Sequence, residues 1–208
     1  MVITQRSVTH VTPSDWIAAL DRMLHHGTVP LAVVMTDLDG FATINDAHGR
    51  DAGDRVLDAW EKTLTNNLPV EAVVVRLGGD EYGVALPGHS AETALILLEE
   101  IRAHFSTHSV DGVDADLGAS AGIAAAPPHG GTGEELHRAA GEALMRAKRE
   151  GRGRAAIYVD EKMTLKSNYY SRANLDRLSK LSGATSRTEA SLLREALDDL
   201  FQKYRDEL

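Results

Sequence analysis

Arg76-Leu77-Gly78-Gly79-Asp80-Glu81-Tyr82 is the stretch that decides the fold. The apolar run Ala72 to Val75 leads into it, and a second, Gly83 to Leu86, leads out. Two short apolar runs around a Gly-Gly pair predict a β-hairpin. Its tip carries two adjacent acids with no basic residue after them. Bare carboxylates at a hairpin tip suit a hard divalent cation, which takes oxygen ligands. Taken alone, the pair would read as a solvated acidic turn.

A second acidic cluster lies upstream. Leu31 to Met35 is apolar and rich in Val, which predicts a buried strand. It runs into Thr36-Asp37-Leu38-Asp39-Gly40-Phe41. Side chains alternate along a strand, so Asp37 and Asp39 would face one side. If the strand and the hairpin are neighbours, their acids can share one metal. That layout suits nucleotidyl transfer, in which a metal bridges phosphate oxygens and helps form the attacking alkoxide.

Further motifs extend the pattern. Asp37-Leu38-Asp39-Gly40-Phe41 is followed by Ile44-Asn45-Asp46, by Gly49 and by Gly53-Asp54. Ser120-Ala121-Gly122-Ile123-Ala124 forms a later apolar run. Glu142-Ala143-Leu144-Met145-Arg146-Ala147-Lys148 precedes Gly151-Arg152. In this order and spacing, roughly from 28 to 158, the chain resembles a GGDEF domain, the catalytic domain of diguanylate cyclases. Tyr82 stands where that family has Phe.

The resemblance implies a set of roles. Asp37 and Asp80 would be side-chain ligands to Mg²⁺ or Mn²⁺, with the Leu38 carbonyl assisting. Glu81 would support nucleotide and metal placement. Asp80, Glu81 and a metal-bound base all stay open as the group that deprotonates the 3′-hydroxyl. Asn45 and Asp54 match guanine-reading positions. A carboxylate can accept from guanine N1–H and its 2-amino group, and a carboxamide can donate to O6 or N7. Turn-forming Asn and helix-capping Asp compete with that reading. Gly40 and Phe41 lie where phosphates would approach. Lys148 and Arg152 match phosphate-binding cations, one turn apart at a helix end; a helix C-terminus also favours positive charge by itself. Asp39 is left as a helper or a turn residue. Ala42 stands where the family has Lys, and Arg50 where it has His. The family's product-inhibition motif would need Arg and Asp at Pro69 and Ala72, so no feedback inhibition is expected there.

Composition bounds these readings. The chain has 208 residues, 43% of them hydrophobic, which is enough for one full domain and a small appendage. There is no cysteine, which excludes disulfides and thiol chemistry. No apolar run approaches membrane-spanning length and Met1 to His10 is too polar for a signal peptide, so a cytoplasmic, membrane-free protein is expected. The net charge of −9 argues against a surface dedicated to nucleic acid. Residues 161–208 hold 9 basic and 8 acidic residues, whereas the first 160 hold 13 and 23.

The expected fold class is α+β. A palm-like antiparallel sheet would carry helices on one face in the order β-α-β-β-α-β-α-β. Its helices are expected over Pro13 to Leu24 (starting at Ser14), Gly53 to Asn67, Ala91 to His104 and Gly133 to Glu150. Ala115 to Ala126 and Ala155 to Val159 would be strands. Domain boundaries are read at 1–159 and 160–208. In the second segment Lys162-Met163-Thr164-Leu165-Lys166 alternates like a strand. A helix follows over Ser171 to Leu181, Ser182 to Thr185 breaks it, and Ser186 with Glu189 would cap another. This strand-helix-helix order resembles a ribbon-helix-helix domain, a family of intertwined dimers.

Two functions follow. One is a homodimeric diguanylate cyclase that condenses two GTP into cyclic di-GMP. The other is a DNA-binding regulator with a nucleotide-sensing first domain, in which Lys162, Thr164 and Lys166 would face the major groove. A domain that binds GTP without turnover is the form Ala42 keeps open.

Overall fold

The computed structural model describes residues 8–159, 170–185 and 189–204. The chain divides into two compact units, 1–160 and 161–208. In the first unit the strands are β1 (Thr9–His10), β2 (Leu31–Leu38), β3 (Val73–Gly78), β4 (Glu81–Pro87), β5 (Ala119–Ala126) and β6 (Ala155–Ile157). Its helices are α1 (Pro13–His25), α2 (Phe41–His48), α3 (Arg50–Asn67), α4 (Ala91–Ser106) and α5 (Gly133–Arg149). The second unit contributes α6 (Arg172–Thr185) and α7 (Glu189–Lys203).

The six strands form one sheet in the order β1-β3-β4-β2-β5-β6. The four central strands are antiparallel, as the hairpin reading requires. Both edges are parallel pairs, β1 with β3 and β5 with β6. The sheet is therefore mixed, which corrects the purely antiparallel expectation. Two-residue β1 is too short to leave an alternating pattern in the sequence.

Helices cover both faces rather than one. Ala32, Val34 and Leu38 of β2 pack in a cluster with Val56, Trp60 and Leu64 of α3 and Leu98, Ile101 and Phe105 of α4. Leu31, Val33 and Met35 point the other way, toward Trp16 and Leu20 of α1 and Leu136, Ala140 and Leu144 of α5. Six consecutive positions of β2, Leu31 to Thr36, are buried. An unbroken apolar run is what a strand covered on both sides needs.

Element ends differ from expectation for local reasons. Thr12, not Ser14, caps α1, with its side-chain oxygen accepting from the Asp15 amide and Pro13 at the first turn. The segment after β2 folds as a separate short helix, α2, entered through Gly40 at φ +71°. α6 runs through Ser182–Thr185. Its Gly183 lies in the last turn, where a glycine costs a helix at most about 1 kcal/mol. The expected strand with Lys162, Thr164 and Lys166, and the Ser186 cap, lie outside the described residues. Among those described, no helix is long and apolar enough to cross a membrane.

Candidate active site

β2 occupies the centre of the sheet, with β4 on one side and β5 on the other. Its last two residues, Asp37 and Leu38, emerge where the hairpin turns. In the β2–β4 register Asp37 stands opposite Glu81. Directly opposed residues of an antiparallel pair share a face, so both carboxylates project on the α5 side. Gly78 pairs with Glu81, which leaves Gly79 and Asp80 as the two-residue turn. Gly79 has φ +52°, a backbone a side chain would strain. The strand end and the hairpin acids are thus neighbours.

Arg76 of β3 holds the turn. Its Nε and Nη2 both donate to the Gly79 carbonyl, at 2.8 and 2.5 Å. Its Nη1 lies 3.8 Å from Glu61 of α3, and its guanidinium stands 5.8 Å over the Tyr82 ring. Tyr82 is fully buried and donates its hydroxyl to Glu61 at 3.0 Å. Burial, then the Glu61 charge, pushes the Tyr82 phenol above its ordinary value, so it stays a neutral donor. Glu61 has no place in the sequence reading. The signal that would have found it is Tyr where Phe is expected, because a buried phenol needs a partner.

Lys148 reaches the site from α5, with its ammonium 2.7 Å from Asp37 Oδ2. Burial pushes the Asp37 carboxyl up from the ordinary carboxylate value. Lys148 pulls it back, while the charges of Asp80 and Asp39 push it up again. Asp37 and Asp80 therefore repel across a small space, and a cation between them would relieve both. Carboxylate oxygens are the donors a hard divalent ion takes. Among the described residues no group of three or more His, Cys, Asp or Glu gathers around a metal position.

α5 comes close because it is lined with small residues. Ala139, Ala140, Ala143 and Ala147 are buried, facing a β5 made of Ala, Ser, Gly and Ile. At Gly122 a methyl would fall 2.0 Å from the Leu144 nitrogen and 2.1 Å from the Ala140 oxygen. This contact sets the depth at which Lys148 meets Asp37.

Asn45 lies half-buried on α2, and Asp54 is exposed in the second turn of α3. Asn45 packs on α3 at Gly53, where a methyl would lie 1.9 Å from Asn45 Oδ1. The missing side chain is what lets the carboxamide lie against α3. Gly40 and Phe41 form the entry to α2, next to Asp37 and Leu38 in the chain.

Two expectations need correction. Arg152 is not on the helix with Lys148. α5 ends at Arg149, and Gly151, Arg152 and Gly153 follow with φ of +119°, +59° and +58°. Glycines on both sides of Arg152 break the helix. Asp39 does not share a strand face with Asp37. β2 ends at Leu38, and the Asp39 carboxylate accepts from Ser120 Oγ at 2.7 Å and from the Gly153 amide at 2.9 Å.

Comparison with known proteins identifies the family of the fold. The family described as "Diguanylate cyclase, GGDEF domain" matches residues 16–154. A diguanylate cyclase of Vibrio cholerae serotype O1 is 34% identical over 131 residues, covering 62% of this chain and 40% of that protein. The chain spans less than half the length of curated relatives it matches, between 20% and 40% of three of them. The crystal structure of the GGDEF domain of YfiN (TpbB) from Pseudomonas aeruginosa is similar at a TM-score of 0.68 and 31% identity, over 74% of this chain and 99% of that one. The GGDEF domain of DgcB from Caulobacter crescentus, solved in complex with c-di-GMP, is similar at 0.65 and 25%, over 76% of this chain and 97% of that one. Hairpin, acids and helices thus coincide with a family match across two thirds of the sequence, and the chain belongs to the GGDEF family of diguanylate cyclase domains.

Proposed function

We propose that this protein is a diguanylate cyclase that joins two GTP into cyclic di-GMP and releases two pyrophosphates. The observation that carries the reading is the β2–β4 register, which sets Asp37 opposite Glu81 at the end of the Gly-Gly hairpin. GGDEF cyclases work with a divalent metal. Here Asp37, Asp80 and the Leu38 carbonyl would hold Mg²⁺ or Mn²⁺. Such an ion neutralises phosphate charge and makes a bound hydroxyl more acidic.

The chain's own residues do the rest. Asn45 and Asp54 hold guanine by its hydrogen-bonding edge, and adenine lacks the donor pair that Asp54 would accept. The Gly40–Phe41 backbone leaves room for the phosphates. Lys148 and Arg152 offset their charge. Arg76 keeps the turn rigid, so that Asp80 and Glu81 need little reorganisation during reaction. Each 3′-hydroxyl attacks the α-phosphate of the GTP on the facing subunit, so the reaction needs a dimer.

The second unit supports that requirement. Leu175, Leu181, Leu193, Leu197 and Leu200 are between 38% and 50% exposed on α6 and α7. A unit this small buries too little on its own. We read it as a ribbon-helix-helix-like dimerisation module. DNA contact by Lys162, Thr164 and Lys166 is its alternative use, and retention of the protein on DNA at low salt would reveal it.

Purified protein given GTP with Mg²⁺ or Mn²⁺ should yield cyclic di-GMP, identified by mass. Asp80→Ala should lower the rate at least ~100-fold, as loss of charge stabilisation at the reacting phosphate does. Wild-type rates from Asp80→Ala, or no product from the native chain with either metal, would sink the reading.

A further inference from the structure

One acid near the site has no part in that scheme. Asp39 lies one residue beyond the end of β2, and all three of its polar contacts run to segments far away in the chain. Its amide donates to the Gly118 carbonyl at 2.9 Å. Its Oδ1 accepts from Ser120 Oγ at 2.7 Å, and its Oδ2 accepts from the Gly153 amide at 2.9 Å. Ser120 is fully buried, so its hydroxyl has no water to turn to. Gly118 leaves space for this carboxylate, since a methyl there would sit 3.3 Å from Oδ2.

The Gly153 end of the clamp falls on a strained loop. Arg152 is the only non-glycine with positive φ among the described residues. L-residues avoid that region, and they persist in it only where the surroundings hold them. Two hydrogen bonds do so here. The Arg152 amide donates to the Ala147 carbonyl of α5 at 3.1 Å, and the next amide donates to Asp39. The peptides on both sides of the Arg152 Cα are thereby pinned, which sets the direction of its Cα–Cβ bond. The side chain is exposed, and its guanidinium pairs with no carboxylate among the described residues.

We propose that Asp39 is a positioning residue for Arg152, clamping the left-handed turn that presents the guanidinium to the nucleotide phosphates. The clamp joins that turn to the residue directly before Gly40, where the phosphates would approach. Asp39 touches neither metal nor substrate in this arrangement. The inference rests on the site being one for GTP.

The test is a double-mutant cycle on the full chain. Its probe is the α,β-methylene analogue of GTP, which cannot be turned over, and affinity is measured calorimetrically with Mg²⁺ present. GMP serves as the probe that lacks the outer phosphates. Arg152→Ala should weaken the analogue about tenfold, as loss of a charge-assisted contact does. Asp39→Ala should give a similar loss alone and none in the Arg152→Ala background, because residues acting through one another are not additive. GMP affinity should not change. Asp39→Asn should restore most of the affinity, since a carboxamide can accept from the Gly153 amide and donate to Ser120. Ser120→Ala, which loosens the clamp without removing it, should give a smaller loss of the same selectivity; it serves if Asp39→Ala does not fold.

Additive losses, an equal loss for GMP, an unchanged analogue affinity in Ser120→Ala, or Asp39→Asn as weak as Asp39→Ala would each overturn the proposal. An unaffected Arg152→Ala would overturn it while leaving GTP binding intact. No binding of the analogue by the native chain would overturn the GTP reading, and the proposal with it.

Discussion

Gly53 has no room for a methyl, because Asn45 Oδ1 already fills that space. Alanine favours an α-helix over glycine by about 1 kcal/mol, so Gly53→Ala gains in propensity while it pushes the carboxamide aside. The expected result is a domain that melts no lower than the native one and has a KM for GTP raised roughly tenfold, the scale of one lost polar contact. Steady-state kinetics beside a thermal melt would check it; an unchanged KM would remove Asn45 from guanine recognition. At this scale the sequence was informative wherever a residue type announces its chemistry. Asp37 and Asp80 could be paired because strand and hairpin each end in acid. Lys148 and Arg152 could be named by likeness, but not their backbones: the switch from helix to left-handed turn depends on Gly151 and Gly153, and on a carboxylate 114 positions away. Nothing local to Asp39 or Glu61 points to the partners they find.

Elements were legible where burial is periodic. Trp60 and Leu64 on α3, and Leu98, Ile101 and Phe105 on α4, are inward as their spacing predicts. The two-sided sheet was there to be read in the unbroken run of β2. Periodicity alone, however, does not say how many layers cover a strand. The closest packing, α5 on β5, is set by atoms that are absent. Gly122→Ala would drive a methyl into the α5 backbone at Leu144 and Ala140, and a helix backbone cannot swing away as a side chain can. Overpacking of this kind costs about 1–3 kcal/mol, sometimes more. The melting temperature should fall by several degrees, and Lys148 should be carried away from Asp37. Chemical denaturation would read the loss, and a midpoint within error of the native one would contradict the contact.

At the scale of the whole molecule, the chain forms two compact units. The first holds every residue assigned to chemistry. The second carries exposed leucines on two helices, and α6 and α7 differ in charge. α6 has Arg172, Arg177 and Lys180 against Asp176, whereas α7 has four acids against Arg194 and Lys203. A two-fold partner could set the basic helix of one copy against the acidic helix of the other. Deleting residues 161–208 should therefore turn a dimer into a monomer by light scattering and cut turnover at least ~10-fold at micromolar protein, by loss of effective concentration. A truncated chain that still dimerises and works at the native rate would leave the second unit without this role. The sequence suggested the division through its change in charge, but no alternation or helical spacing specifies what a small leucine-rich unit grips.

β2 is hydrogen-bonded along its length on both sides, to β4 and to β5. In the language of local unfolding, it belongs to the part of the domain that opens last, while short edge strands such as β1 and β6 open first. Asp37 and Leu38 ride on that strand. Asp37 and Leu38, the proposed metal ligands, are thus fastened to the element that opens last, and the Gly79–Asp80 turn and the Gly151–Gly153 loop close around it, each held by side-chain hydrogen bonds. A signal that tunes this site has little leverage on the centre of the sheet. It must work from the rim, by shifting how often the turn and the loop are in place.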